Sequence, residues 1–255
     1  MAMGYSIADR IAELLKEKSR THTIKTVLVG LSYTAVELED SAIGVAFNFP
    51  QARGGCTETL RKYKPFAGKE ASVLLSLLGE KELIGASIGM ATANALKASE
   101  PLQEEVFEGD VLDCIETEPT DKVCMVGCFV PLLNLLKERG IGVVALDETP
   151  KPGSRPPEEA ERYLPQSDIA LITATSIINH TIDHLLELST SCREVAILGP
   201  STPFIPGAFL NTPVTILSGV KIDNGKEVMD VIGEGGGFRE FKKSTRKVNI
   251  PLKAR

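Results

Sequence analysis

From Lys122 onward the sequence alternates short, continuously apolar runs with amphipathic stretches, and this alternation leaves few folds open. The strand-like runs are "KVCMVG" (122–127), "GVVALD" (142–147), "DIALIT" (168–173), "EVAILG" (194–199) and "VTILSG" (214–219). Between them lie the helix-like "PLLNLLKERG", "EEAERYL" and "TIDHLLELS". Strands alternating with helices predict a parallel sheet covered by helices on both faces. Strands with no polar alternation fit burial on both sides.

The first hundred residues read differently. Residues 6–18 predict a helix, with Ser6 as its cap, Asp9 three residues on, and Ile7, Ile11, Leu14 and Leu15 on one face. The β-branched runs "TIKTVLVG", "YTAVEL" and "AIGVAFNF" follow with the spacing of a meander, then helical segments near 69–78 and 82–98. This is an α+β order. The acidic, proline-broken stretch "EPLQEEVFEGDVLDCIETEPTD" marks a boundary near residue 105. The expectation is an α/β chain: a smaller α+β domain over 1–105 and a Rossmann-like parallel-sheet domain over 106–255.

A net charge of −6 argues against a general nucleic-acid binder. No apolar run approaches the ~20 residues of a membrane span. Met1 to Ser19 is amphipathic and carries acids, unlike a secretory signal, so a cytoplasmic protein is expected. Cys56, Cys114, Cys124, Cys128 and Cys192 form no CxxC pair and are expected as free thiols. From Arg239 on, seven basic residues face one Glu, which reads as a solvated, partly frayed tail or as an anion-binding flap.

In a doubly wound sheet, ligands sit outside the carboxyl ends of the strands. The first turn here is "GCFVP" (127–131), not G-x-G-x-x-G: Phe129 and Val130 stand where glycines would admit a pyrophosphate, so a dinucleotide site is not expected. Glu148, 21 residues after Gly127, ends the second strand and can accept bonds from a ribose or another diol. With the strand order 3-2-1-4-5, "GCFVP" would face "GPSTP" (199–203). Ser201 and Thr202 would then either cap a helix near Pro203 or Pro206 or, with the Gly199 carbonyl and Pro200, meet a ligand. Thr173 to Asn179 would line the end of the third strand.

Other groups carry paired readings. His180 and His184 are four residues apart, workable spacing for a metal pair on one helix face, but the sequence identifies no HExxH and no third ligand, which favours surface or capping residues. Asn179 and Thr181 would cap that helix. Cys128, just before a helix N-terminus, is a candidate thiolate, soft-metal ligand or nucleophile, or else a buried inert thiol. "GEGGGFREFKK" (233–243) would wrap an anion or serve as a flexible connection. Arg53 in "RGGC" (53–56) would pair with an anion.

Six stretches occur in an order that resembles the putative heavy-metal chelation domain family: "GLSYTAVEL", "IGMATANAL", "MVGCFVPLLNLLKERG", "LDETP", "YLPQSDIALITATSIINHTIDHLL" and "LGPSTPFIPGAF". The resemblance covers nearly the whole chain. It implies an enolase N-terminal-like α+β domain, a Rossmann-like domain, and a site in the cleft between them. Matching positions expected at that cleft are Thr34, Asn94, Gly127, Phe129, Pro131, Glu148, Asn179, Thr181, Gly199, Pro200, Ser201, Thr202 and Pro203. No catalytic residue is transferred, and His180 and the cysteines lie outside the pattern.

Two functions remain open. One is binding or processing of a small anionic metabolite or metal complex in the cleft, a divalent metal or its complex being the expected cofactor. The other is an enzyme that uses a nucleotide-like cofactor such as S-adenosylmethionine or a nucleoside phosphate.

Overall fold

The computed structural model describes residues 5–50, 60–103 and 105–252. Helix α1 (Ile7–Leu14) starts at the expected capping box: Ser6 Oγ accepts from the Asp9 N–H, and Asp9 accepts from the Ser6 N–H. The predicted helix breaks at Leu15, and α2 (Lys16–Thr21) follows. Strands β1 (Ile24–Val29), β2 (Tyr33–Leu38) and β3 (Ile43–Phe47) form an antiparallel meander in the order β1-β2-β3. Helices α3 (Ala71–Leu75) and α4 (Leu83–Ala98) come next. The α4 sequence LIGASIGMATANALKA is rich in small residues, so it can lie close against β3. A Cβ at Gly44 would sit 2.1 Å from the Ala95 nitrogen, so only glycine permits this approach.

The large sheet has the order β4-β11-β10-β9-β8-β5-β6-β7. Its parallel part comprises β5 (Lys122–Val126), β6 (Gly142–Leu146), β7 (Ser154–Arg155), β8 (Ile169–Thr173), β9 (Glu194–Leu198) and β10 (Ile216–Ile222). Helices α5 (Val130–Glu138), α6 (Ala160–Tyr163), α7 (Thr175–Ile178) and α8 (Ile182–Leu188) provide the crossovers. Successive residues of a strand point to opposite faces. Accordingly, Val123 and Met125 join one core with Leu132, Leu133 and Leu136 of α5. Cys124 and Val126 join the other, which also holds Ile7, Ile11, Leu78, Ile88, Ile177 and Leu186. The N-terminal helices and one face of the large sheet thus share a continuous core. No helix among the described residues is long and apolar enough to cross a membrane.

Two expectations are corrected. The order of the five main parallel strands is 2-1-3-4-5 rather than 3-2-1-4-5: β5 lies between β6 and β8, and β9 is one strand further away. As far as Leu252, the basic C-terminal stretch is built into a helix and a strand rather than a tail or a flap. Residues 225–241 form α9 (Gly225–Gly233) and α10 (Phe238–Phe241), and β11 (Thr245–Pro251) pairs antiparallel with β10 and with the short β4 (Phe107–Glu108). Val228, Ile232 and Phe241 cover the face of the small sheet that carries Tyr33, Ala35 and Val45. The Tyr33 and Phe241 rings meet edge to face with centroids 5.1 Å apart. The small sheet is therefore enclosed, by α4 on one face and the C-terminal helices on the other.

Candidate functional site

The strand order fixes where a crevice forms. In the 2-1-3-4-5 order, the connections leave in opposite directions between the first and third strands, here β5 and β8, and ligands bind outside their carboxyl ends. The sheet brings Gly127, Cys128 and Phe129 to the end of β5, Asp147 and Glu148 to the end of β6, and Thr173 to the end of β8. Gly127 has φ +85°, and a Cβ there would lie 2.8 Å from the Thr173 side chain, so the turn needs glycine twice over. The Phe129 ring lies over both turn glycines, within 3.4 Å of a Cβ built on Gly127 and 3.8 Å of one built on Gly199. "GCFVP" and "GPSTP" therefore meet through the Phe129 ring across β8, not as walls of adjacent strands.

Polar groups gather around this turn. Asp147 Oδ2 accepts from the Cys128 N–H at 2.7 Å and from Lys151 Nζ at 2.7 Å, and Oδ1 accepts from the Thr149 N–H at 2.9 Å. Lys151 Nζ also donates to the Cys128 carbonyl at 3.2 Å. Glu148 Oε1 accepts from Asn179 Nδ2 at 2.8 Å, and Asn179 Oδ1 accepts from Thr181 Oγ1 at 2.8 Å. This chain ties together the loops that leave the two neighbours of β5. The Thr173 and Thr175 hydroxyls are 2.9 Å apart. Asp147 and Lys151 were missed in the sequence, where counting from Gly127 drew attention to Glu148 alone. The signal was the period of two: Asp147 shares its parity with Ala145, which points into the core on the α5 side.

The remaining candidates lie elsewhere. Ser201 and Thr202 are almost fully buried, and no helix begins at Pro203; only a single 3-10 turn occurs, at Pro206–Phe209. Ser201 Oγ accepts from the Phe47 N–H at 2.9 Å, Asn94 Nδ2 donates to the Val45 carbonyl at 3.0 Å and the Ser201 carbonyl at 3.2 Å, and Ser87 Oγ donates to the Phe47 carbonyl at 2.8 Å. β3 is the edge of the small sheet, and unpaired edge groups need partners when covered. These side chains supply them, so Ser201 and Asn94 act at the joint between the two sheets. Thr202 Oγ1 donates to the Ser218 carbonyl at 2.9 Å, and buried Thr34 donates to Asn48 Oδ1 at 2.9 Å. Arg53, Cys56 and the "RGGC" turn lie outside the described residues.

The histidine pair does not form. His180 sits at φ +60°, before α8 begins, with Nε2 2.8 Å from the Glu80 carbonyl; His184 is exposed beside Glu161 and Glu187. Burial pushes the Cys128 thiol up, with Lys151 pulling down and Asp147 adding to the rise, so the thiolate favoured by the helix field is not the resting form. Burial pushes Cys124 to about 12 and Cys192 to about 11. Among the described residues, no three His, Cys, Asp or Glu side chains stand together as a metal cage.

Two family models, both described as "Putative heavy-metal chelation", match residues 12–97 and 110–251. The chain belongs to this family. An uncharacterised protein of Methanocaldococcus jannaschii is 22% identical over 259 residues, covering 96% of each chain. A Pyrococcus horikoshii protein of unknown function from the DUF364 family has the same fold at a TM-score of 0.85 and 21% identity, covering 96% of this chain and 99% of that one. A DUF364 protein of unknown function from Desulfitobacterium hafniense gives 0.79 and 21%, covering 94% and 98%.

Proposed function

We propose that this member of the heavy-metal chelation family binds a metal ion already held by a small organic chelator, in the crevice at the ends of β5 and β8. The observation that carries this reading is the convergence there of opposite charges and hydrogen-bonding groups, Asp147 with Lys151 and Glu148 with Asn179 and Thr181, around the Gly127 turn. A bare ion does not fit the described residues, which offer no three-ligand cage. A complex brings its own inner-sphere donors and asks the protein only for outer contacts. Carboxylates suit its metal-bearing, positive side; an ammonium and amides suit the carboxylates of a chelator.

Calorimetry tests this with Ni²⁺ and Zn²⁺ alone, citrate and histidine alone, and the preformed complexes. Heat confined to the complexes, and reduced by Glu148→Gln or Lys151→Met, supports the reading. Equal binding of the bare ions, or no heat from any complex, overturns it.

A further inference from the structure

Resting on the crevice being the ligand site, we propose that Asp147 acts as an internal anion that fills the phosphate position of the crevice and so selects ligands without phosphate. In doubly wound folds, a phosphate sits at the turn after the central strand, on backbone N–H groups at the following helix. The corresponding turn here leads from β5 into α5, a helix of nine residues.

The three N–H groups that lead into the helix are each directed to a partner within the protein. Gly127 N–H donates to the Leu146 carbonyl at 2.8 Å, Cys128 N–H to Asp147 Oδ2, and Phe129 N–H to Met125 Sδ at 3.4 Å. The charge of Lys151 beside the turn is balanced as well, since its Nζ donates to the same Asp147 oxygen and to the Cys128 carbonyl and keeps only its third N–H for a ligand. A carboxylate oxygen that accepts from one amide and one ammonium reproduces the contacts a phosphate oxygen would make. With three donors and a side chain only 12% exposed, Asp147 is held in place. The Phe129 ring over Gly127 and Gly199 takes the space a second phosphate would need. An incoming phosphate would meet a fixed like charge in a partly buried site, where repulsion is poorly screened. The ligand class that remains is phosphate-free and turns a positive, metal-bearing side toward Asp147, as an amino-acid complex of a divalent metal can.

Inorganic pyrophosphate is the probe. The native protein should give no saturable binding at millimolar pyrophosphate by calorimetry or thermal shift. Asp147→Asn removes the charge and loosens its hold on Lys151; pyrophosphate affinity should rise about tenfold or more, the scale of one unit-charge contact. The gain should vanish when Lys151→Met is added. Native protein that binds pyrophosphate, with Lys151→Met weakening it, overturns the proposal, as does a folded Asp147→Asn variant without the gain. Asp147→Ala serves if the Asn variant does not fold. If neither folds, the native result decides alone: no binding supports the proposal, and binding sensitive to Lys151→Met overturns it. Running the Ni²⁺–histidine complex on the same native sample separates the two readings: its failure sinks the proposed function and leaves the pyrophosphate result standing.

Discussion

Ser201→Ala should loosen the protein markedly while leaving the crevice intact. The Phe47 N–H lies on the outer edge of β3 and donates to Ser201 Oγ at 2.9 Å in a place where Ser201 is 1% exposed. Removing the oxygen leaves a buried donor without its acceptor, which costs about 1–3 kcal/mol. For a chain of this length that lowers Tm by about 2–4 °C per kcal/mol, so by about 2–12 °C. Thr202→Ala, one residue on and equally buried, is the control. Its partner, the Ser218 carbonyl, also accepts from the Gly199 N–H at 3.0 Å and so keeps a donor. That change should cost about 0.5–1 kcal/mol, the net worth of an ordinary hydrogen bond. Thermal unfolding followed by circular dichroism, supported by urea titration, gives the ranking. The assignment of Ser201 to the joint is refuted if Ser201→Ala costs no more than Thr202→Ala, or if it abolishes binding of a metal complex at unchanged Tm.

Phe241→Ala should destabilise by about 3–5 kcal/mol, because a fully buried ring on the small sheet is replaced by a cavity; urea midpoints measure this. The Arg193 guanidinium grips Asp121 through two bonds of 2.7 Å and holds its carboxyl below the ordinary value of 3.8. A carboxyl lowered by folding stabilises above its ordinary value and loses that contribution as pH falls through its folded value. Arg193→Met should therefore cost about 1 kcal/mol near neutrality, discounted because Arg193 is 43% exposed, and the gap to the native protein should close only below pH 3.8 in acid titrations of stability. Cys124 and Cys192 should escape alkylation by iodoacetamide at pH 8 in the folded protein and react after urea is added, as peptide mass spectrometry would show. Asn179→Ala should weaken binding of the metal complex without lowering Tm by more than ~1–2 °C, since Glu148, which it contacts, is exposed.

The meander, the parallel strands and the cap at Ser6 were legible because each is a local pattern: β-branched runs, apolar runs bounded by glycine, and a Ser with an acid three residues on. Strand order was not legible. Nothing within "EVAILG" states whether β9 lies beside β5 or beyond β8, since that is decided by where the intervening helices pack. The assumed order also set Ser201 and Thr202 directly beside the first turn, whereas Ser201 Oγ meets the Phe47 N–H of the small sheet and Thr202 Oγ1 the Ser218 carbonyl of β10. β11 was missed because "TRKVNIP" opens on two adjacent charges, Arg246 and Lys247, and lies in a basic stretch, yet its Val248 and Ile250 are buried. Asp147 was hidden by its neighbour Glu148, although strand parity distinguishes the two.

The cover that α9 and α10 place over the small sheet sets the order of synthesis against the order of closure. Tyr33, Ala35 and Val45 leave the ribosome early, but the residues that shield them, Val228, Ile232 and Phe241, are made nearly two hundred positions later. Small domains commonly fold as units, N-terminal first, as they are synthesised. This meander cannot complete that step alone, because one apolar face stays wet until α9 and α10 have been made. A nascent chain stalled after β9 would hold a finished strand pattern with an uncovered surface, the kind of species that chaperones bind and that aggregates without them. Closure of the small sheet thus waits on the arrival of α9 and α10, not on completion of its own three strands.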